Sequence, residues 1–223
     1  MKRIIMMGPP GAGKGTQGVR LARTLTVPHI ASGDLLRRLM AEDGDSELAR
    51  AVRVIHEGRM VSDEVASAIV FRELGNAAGF VLDGFPRNVA QAELLSKYLT
   101  EQREHLDAVL YLHVTEEVVV ARIGGRLTCA RCGETYHRDH EPPVVAGICD
   151  RCGNQLEIRP DDRPDHIRTR LHLYEERTAP LVGWYEAHGL LRHVDADDSQ
   201  ETVFERCLRA IGRGDSAEVE FPK

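Results

Sequence analysis

The segment Gly8-Pro-Pro-Gly-Ala-Gly-Lys-Gly-Thr16 directly follows the apolar run Ile4-Ile5-Met6-Met7, and that junction restricts the fold more than anything else in the chain. Gly8, four intervening residues, Gly13 and Lys14 make a phosphate-binding loop, which functions only between a buried strand and the start of a helix. Its glycines let successive backbone N–H groups turn toward one anion, because a residue without Cβ reaches those dihedrals cheaply. The helix opening near Gly13 adds the positive end of its dipole, and Lys14 adds a full charge. A polyphosphate is the expected guest. The general pattern has Ser or Thr directly after the lysine; here Gly15 intervenes and the hydroxyl arrives at Thr16, an ending that narrows the field. A glycine-rich turn with no ligand is the alternative, and the strand-to-helix setting argues against it.

Beyond this loop, strands alternate with helices. A helix is predicted over Thr16 to Leu25, with Val19, Leu21, Ala22 and Leu25 inward, then a short strand at His29-Ile30-Ala31. Ser32 or Asp34 is placed to cap the next helix, a second runs over Ser46 to Glu57, and Ser62 caps a third over Asp63 to Leu74. Gly79 to Asp83 reads as a buried strand, Asn88 caps a helix to Leu99, and Ala108 to Val114 is a further strand. Thr115 starts the helix that carries Arg122. This order predicts βαβ units and a parallel sheet, with ligands at the carboxyl ends of its strands.

From Gly124-Gly125 to Asp162 the helical period stops, so an inserted subdomain with a glycine hinge is expected. Cys129-Ala-Arg-Cys132 and Cys149-Asp-Arg-Cys152 lie within it, separated by 16 residues, the spacing of a four-thiolate zinc site. Four ligands leave no place for water, so the metal has a structural role: it holds a segment of 38 residues without its own core. Two disulfides, or iron in place of zinc, are the alternatives. Helical spacing returns from Arg163 to His188, followed by a strand over Leu190 to Asp195, a helix over Ser199 to Ile211 and a polar tail expected to be mobile. Trp184, Tyr185 and the lone Cys207 read as core.

The formal charge of -6 argues against wholesale binding of nucleic acid or anionic lipid. No long apolar run suggests a membrane span or exported leader, so a cytoplasmic protein is expected. Only Lys2, Lys14, Lys97 and Lys223 of the 29 Lys and Arg residues are lysines, so arginines carry meaning only inside motifs. Arg87, Arg122, Arg126, Arg159 and Arg170 fall at strand ends, at the hinge or at the borders of the insert. Fixed guanidinium groups in that number suit phosphoryl transfer between two anionic nucleotides. Asp83 closes a strand expected beside the loop strand, where a carboxylate can hold magnesium against phosphates; a structural cap for the Gly84-Phe85 turn is the alternative.

Together with Ser32-Gly-Asp-Leu-Leu-Arg37, Asp83-Gly-Phe-Pro-Arg87, Arg122-Ile-Gly-Gly-Arg126, Arg159-Pro-Asp-Asp162, Arg170 and Thr178-Ala-Pro-Leu181, the loop resembles adenylate kinase in its long-lid, zinc-bearing form. The resemblance covers nearly the whole chain. It implies an α/β fold of P-loop NTPase type, a parallel sheet flanked by helices, with a helical monophosphate-binding insert and a zinc-ribbon-like lid. The implied division is a CORE of residues 1–30, 61–124 and 163–223, an AMP-binding insert of residues 31–60 and a lid of residues 125–162.

By the same resemblance, Gly11, Ala12, Gly13, Lys14, Gly15 and Thr16 hold ATP phosphates, with Arg122, Arg126, Thr135, Tyr136 and the backbone near Asp198 as further ATP contacts. AMP contacts would come from Ser32, Arg37, Arg59, Met60, Val61, Gly84, Phe85, Pro86, Arg87, Gln91, Arg159 and Arg170. Lys14, Asp83, Arg87, Arg126, Arg159 and Arg170 form the implied catalytic set. Gln91 offers a donor and an acceptor together, which matches the amino group and neighbouring ring nitrogen of adenine. The expected reaction converts ATP and AMP to two ADP with magnesium, in a monomer. Two other readings stay open: a UMP/CMP kinase of the same fold, and a zinc-ribbon module that binds nucleic acid and carries a regulatory nucleotide site. The negative charge counts against the second.

Overall fold

In a computed structural model, residues 1–41, 62–75, 77–158, 162 and 164–212 are described. Their elements run β1 (Arg3–Met7), α1 (Lys14–Leu25), β2 (His29–Ala31), α2 (Ser32–Ala41), α3 (Asp63–Leu74), β3 (Phe80–Asp83), α4 (Val89–Glu101) and β4 (Ala108–His113). There follow α5 (Glu116–Gly124), β5 (Arg126–Cys129), β6 (Thr135–His137), β7 (Leu156–Glu157), α6 (Pro164–Arg177), α7 (Pro180–Ala187), β8 (Leu191–Asp195) and α8 (Gln200–Gly212). The expected helix over Ser46 to Glu57 and the tail from residue 213 lie outside the described residues.

Among the described residues the main sheet has the order β2-β3-β1-β4-β8 and every pairing in it is parallel. All five residues of β1 are buried, the continuous apolar signature of a strand covered on both faces. The two-residue period then divides the core. Ile5 and Met7 face a cluster with Phe80, Leu82 and Val109 against α2, α3, α4 and α7. Ile4 and Met6 face a second cluster with Val81, Leu110 and Leu112 against α1, α5 and α8. This two-sided cover fixes the strand register, so Met6 pairs with Asp83 and Met7 with Tyr111, and the loops after β1, β2 and β3 open at one edge.

Three expectations change in detail. The inward face of α1 buries Gln17, Gly18, Leu21 and Ala22, whereas Val19 is half-buried. Gly18 is inward because β2 crosses there: a Cβ at Gly18 would sit 2.8 Å from His29 Nε2. Ser32 does not cap α2, since its hydroxyl donates to Gly84 O at 2.7 Å. The helix expected over Arg163 to His188 is two helices, α6 and α7, parted ahead of Pro180, which has no N–H to continue the ladder and stands in the first turn of α7, where none is needed. The caps by Ser62 and Asn88 are present, each side chain accepting from the backbone three residues on. Tyr185 and Cys207 are fully buried, while Trp184 packs against the core from its edge.

The insert forms its own antiparallel sheet in the order β6-β5-β7. Gly125 closes α5, and a Cβ there would collide with the His137 ring, so a side chain at this junction would require that ring to shift. His137 in turn bonds Ala121 O through Nε2 at 3.3 Å and accepts at Nδ1 from Asp139 N and His140 N. Among the described residues no helix is long and apolar enough to cross a membrane.

Candidate active site

The loop after β1 is held open by glycine for two separate reasons. At Gly8, with φ +142°, a Cβ would press within 2.5 Å of Leu112 O. Gly13 has open space around it but φ +90°, so there the backbone alone demands glycine. Lys14 begins α1 and its Nζ donates to Gly8 O and Pro9 O, both at 2.8 Å. The residue as a whole is half-buried, but its ammonium lies deep among the loop atoms, and that burial pushes it down to about 8. Asp83 opposes the shift, while Arg170, Arg87 and Arg126 add to it. Four residues predicted from scattered motifs are thereby brought into electrostatic range of one ammonium. Asp83 also overlies the turn after Lys14: a Cβ at Gly15 would contact its Oδ2 at 3.4 Å.

Arg126 and Arg170 share one carboxylate. Asp162, whose side chain is completely buried, accepts from Arg126 Nε at 2.6 Å and from Arg170 Nη1 at 2.6 Å, and it also pairs with Arg126 Nη2. Two positive groups from either side of the insert are so set side by side, which their mutual repulsion would otherwise prevent. Arg122, on α5, donates from Nη2 to Ala196 O at 3.0 Å and Asp198 O at 3.1 Å, tying that helix to the loop after β8. The Asp198 carboxylate is kept below its usual range by the Ser199 N–H and by Arg206.

After β3 the chain turns through Gly84, at φ +75°, and a cis Phe85–Pro86 bond. Gly84 O accepts from Ser32 Oγ and from Arg87 Nε at 2.9 Å, and Phe85 is buried edge-on against Phe71. Thr178 Oγ1 donates to Arg87 O at 3.0 Å. Gln91 is buried, with Oε1 accepting from Arg87 N at 2.8 Å and Nε2 donating to Asp63 Oδ1 at 2.7 Å. Asn88 donates to the same Asp63 oxygen at 2.9 Å.

In the insert, Cys129, Cys132, Cys149 and Cys152 bring their sulfurs within 4.8 Å of one another, and all four are free thiols. Separations of 3.4 Å for Cys129–Cys152 and 3.6 Å for Cys132–Cys149 fit the roughly 3.8 Å edge of a tetrahedron built on ~2.3 Å zinc–sulfur bonds. The donor set therefore suits zinc and does not form the two disulfides. Tyr136 joins this cluster: its hydroxyl lies 3.6 Å from Cys149 Sγ and accepts from Asp150 N at 2.9 Å. Against a burial that favours the thiol, hydrogen bonds from Tyr136 and from the Cys152 and Arg151 backbone bring Cys149 down to about 6. Thr135 opens β6, exposed.

Arg59, Met60, Val61 and Arg159 lie outside the described residues, as does the side chain of Arg37, whose backbone belongs to α2. Sequence reasoning gave no role to Asp162, Asp63 or Arg206. A carboxylate between two border arginines was the available signal for Asp162; Asp63 sits 28 residues from Gln91, and nothing local links them.

A glycine cradle at the end of a buried strand, a desolvated lysine and arginines gathered from either side of the small sheet define a P-loop phosphotransferase. A family model described as adenylate kinase matches residues 6–190. The chain is 43% identical over 214 residues to the adenylate kinase of Thermoanaerobacter sp. (strain X514), covering 94% of this chain and 98% of that one. It is 42% identical over 215 residues to those of Moorella thermoacetica and Syntrophotalea carbinolica, covering 95% of this chain and 98% and 99% of theirs. The chain belongs to the adenylate kinase family.

Proposed function

We propose that the chain carries out its family's reaction, the reversible transfer of the terminal phosphoryl group of ATP to AMP to give two ADP, on the residues gathered around Lys14. The observation that carries this reading is the convergence of Lys14, Asp83, Arg87, Arg126 and Arg170. The acceptor oxygen of a monophosphate is already anionic, so no general base is required. Positioning and charge stabilisation supply the rate, and fixed guanidinium groups act on the charge spread over the transferring group. Gly11 to Thr16 receive the ATP phosphates, with Arg122, Arg126, Thr135, Tyr136 and the Asp198 backbone around the nucleotide. Ser32, Arg37, Arg59, Met60, Val61, Gly84 to Arg87, Gln91, Arg159 and Arg170 receive AMP. Asp83 is the carboxylate suited to face a magnesium ion brought by ATP, which would supply neutralisation of phosphate oxygens.

The proposed division is a CORE of residues 1–30, 61–124 and 163–223, an AMP-binding insert of residues 31–60 and a lid of residues 125–162. Zinc in the four-cysteine site stiffens the lid, which excludes water as it closes. Action as a cytoplasmic monomer, without nucleic acid, completes the proposal. The curated relatives are named adenylate kinases, which favours AMP over UMP or CMP as acceptor. A coupled assay with ATP and magnesium and a panel of AMP, UMP and CMP tests the reading: AMP is expected to be preferred by orders of magnitude. Failure of folded protein to bind two adenosines joined by five phosphates, measured by calorimetry, would overturn it.

A further inference from the structure

Two groups of opposite demand bracket the Gln91 amide. An ionised carboxylate accepts hydrogen bonds and never donates them, so Asp63 Oδ1, at 2.7 Å, requires the amide nitrogen on its side. A backbone N–H only donates, so Arg87 N, at 2.8 Å, requires the amide oxygen on the other. Turning the amide over would set oxygen against carboxylate and NH₂ against N–H, two repulsions in a buried place. Asn88 repeats the arrangement, its Nδ2 on Asp63 Oδ1 and its Oδ1 accepting from Gln91 N at 2.9 Å.

We propose that Asp63 is a specificity-determining positioning residue: by fixing, together with Arg87 N, which way round Gln91 lies, it restricts the acceptor to bases that carry an amino group beside an unprotonated ring nitrogen. This rests on the reading that Gln91 faces the base of the monophosphate. Of the amide's two N–H groups and two lone pairs, Asp63 and Arg87 use one each, so one donor and one acceptor remain, in fixed order. Adenine meets that order with ring N1 and its 6-amino group. A 6-oxopurine presents N1–H and O6, the reverse, and meets donor with donor. Asp63 itself need not touch the nucleotide; it opens α3 and reaches the site through Gln91 and Asn88.

The test is steady-state transfer from magnesium-ATP to AMP and to IMP, which differ at this edge alone, in the native chain and in Asp63→Asn and Gln91→Met. The amide that Asp63→Asn introduces could donate as well as accept, so turning the Gln91 amide would meet one repulsion, at Arg87 N, in place of two. The native chain is expected to prefer AMP strongly. In Asp63→Asn the AMP:IMP ratio of kcat/KM is expected to fall by about tenfold or more, mainly through the monophosphate KM and with the ATP KM unchanged. An unchanged ratio, or an equal loss for both acceptors, would make Asp63 merely structural and overturn the proposal, as would a native chain that uses IMP as readily as AMP. Should Asp63→Asn not fold in a urea titration, Asp63→Ser gives the same readout, because a hydroxyl also donates. Gln91→Met separates the two readings. A ratio retained there removes Gln91 from base recognition, whereas a ratio lost there but kept in Asp63→Asn removes Asp63 alone.

Discussion

The guanidinium of Arg126 closes on the buried carboxylate of Asp162 across 36 residues, Nε to Oδ2 at 2.6 Å. These two residues lie on either side of the small antiparallel sheet, so one ion pair joins the strand that enters that segment to the residue just before α6. Asp162→Ala would leave Arg126 and Arg170 without their shared counter-charge. Both arginines are less than a third exposed, so a loss of about 3 kcal/mol in unfolding free energy is expected by urea titration. A fall of about 10²-fold in kcat should accompany it, because the two cations no longer hold their positions. Unchanged kcat in folded Asp162→Ala would detach the pair from catalysis.

Lys14→Met keeps the length of the side chain and removes its charge. Transfer is expected to fall by about 10³-fold or more. The melting temperature should move little, since the lost bonds to Gly8 O and Pro9 O are offset by relief of a desolvated ammonium. Differential scanning calorimetry beside single-turnover kinetics checks both halves.

Burial also gives Lys14 a pH signature. With its ammonium down to about 8, the free protein loses this charge as pH rises through about 8, and kcat/KM for ATP should fall on that limb. The stability effect has the opposite sign. The ordinary lysine value is 10.5, so between about 8 and 10.5 the unfolded chain holds a proton that the native chain lacks, and Lys14 contributes a rise in unfolding free energy with pH there. Below about 8 both states are protonated and the burial penalty is full. A kcat/KM profile flat to pH 10 would contradict the assignment.

Purified protein should carry about one zinc per chain by elemental analysis, and Cys149→Ser should carry little. Because Cys129 ends β5 and the other three cysteines lie in the connections of that sheet, which is separate from the main one, losing the metal is expected to open this segment to proteolysis while the β1–β4 core stays folded. Simultaneous loss of both would show that the lid is integral to the core.

Gly84→Ala places a Cβ 2.9 Å from Ser32 Oγ at a φ of +75°. A loss of about 1–2 kcal/mol in stability is expected from the backbone conformation and the crowding together. The monophosphate KM should rise while the ATP KM stays, since Gly84 O joins Ser32 to Arg87.

What the sequence made legible was local or periodic. The loop from Gly8 to Thr16 and the cysteine knuckles each complete their pattern within a few residues, and β1 and β3 announce themselves as buried apolar runs. The Asp83 position followed because a parallel sheet aligns strand ends, here Met6 with Asp83. The break before Pro180 was readable from the proline but was overridden by helical spacing on both sides. Ser32 or Asp34 suits a cap by local position, yet the Ser32 hydroxyl finds its partner in Gly84, 52 residues away. Asp162 and Asp63 stayed hidden for the same reason: a carboxylate's role depends on which cations or amides the fold carries to it, and no local spacing encodes that.

One consequence follows from the two carbonyl oxygens that hold Lys14 in the loop. Gly8 O and Pro9 O each accept from the ammonium at 2.8 Å, so two of its three donors are satisfied within the loop while its charge remains. Entry of a phosphate is then an exchange of partners rather than the filling of a naked positive hole. The same two oxygens hold the ammonium in place without a nucleotide, so the loop keeps its shape between turnovers only as far as this pairing persists.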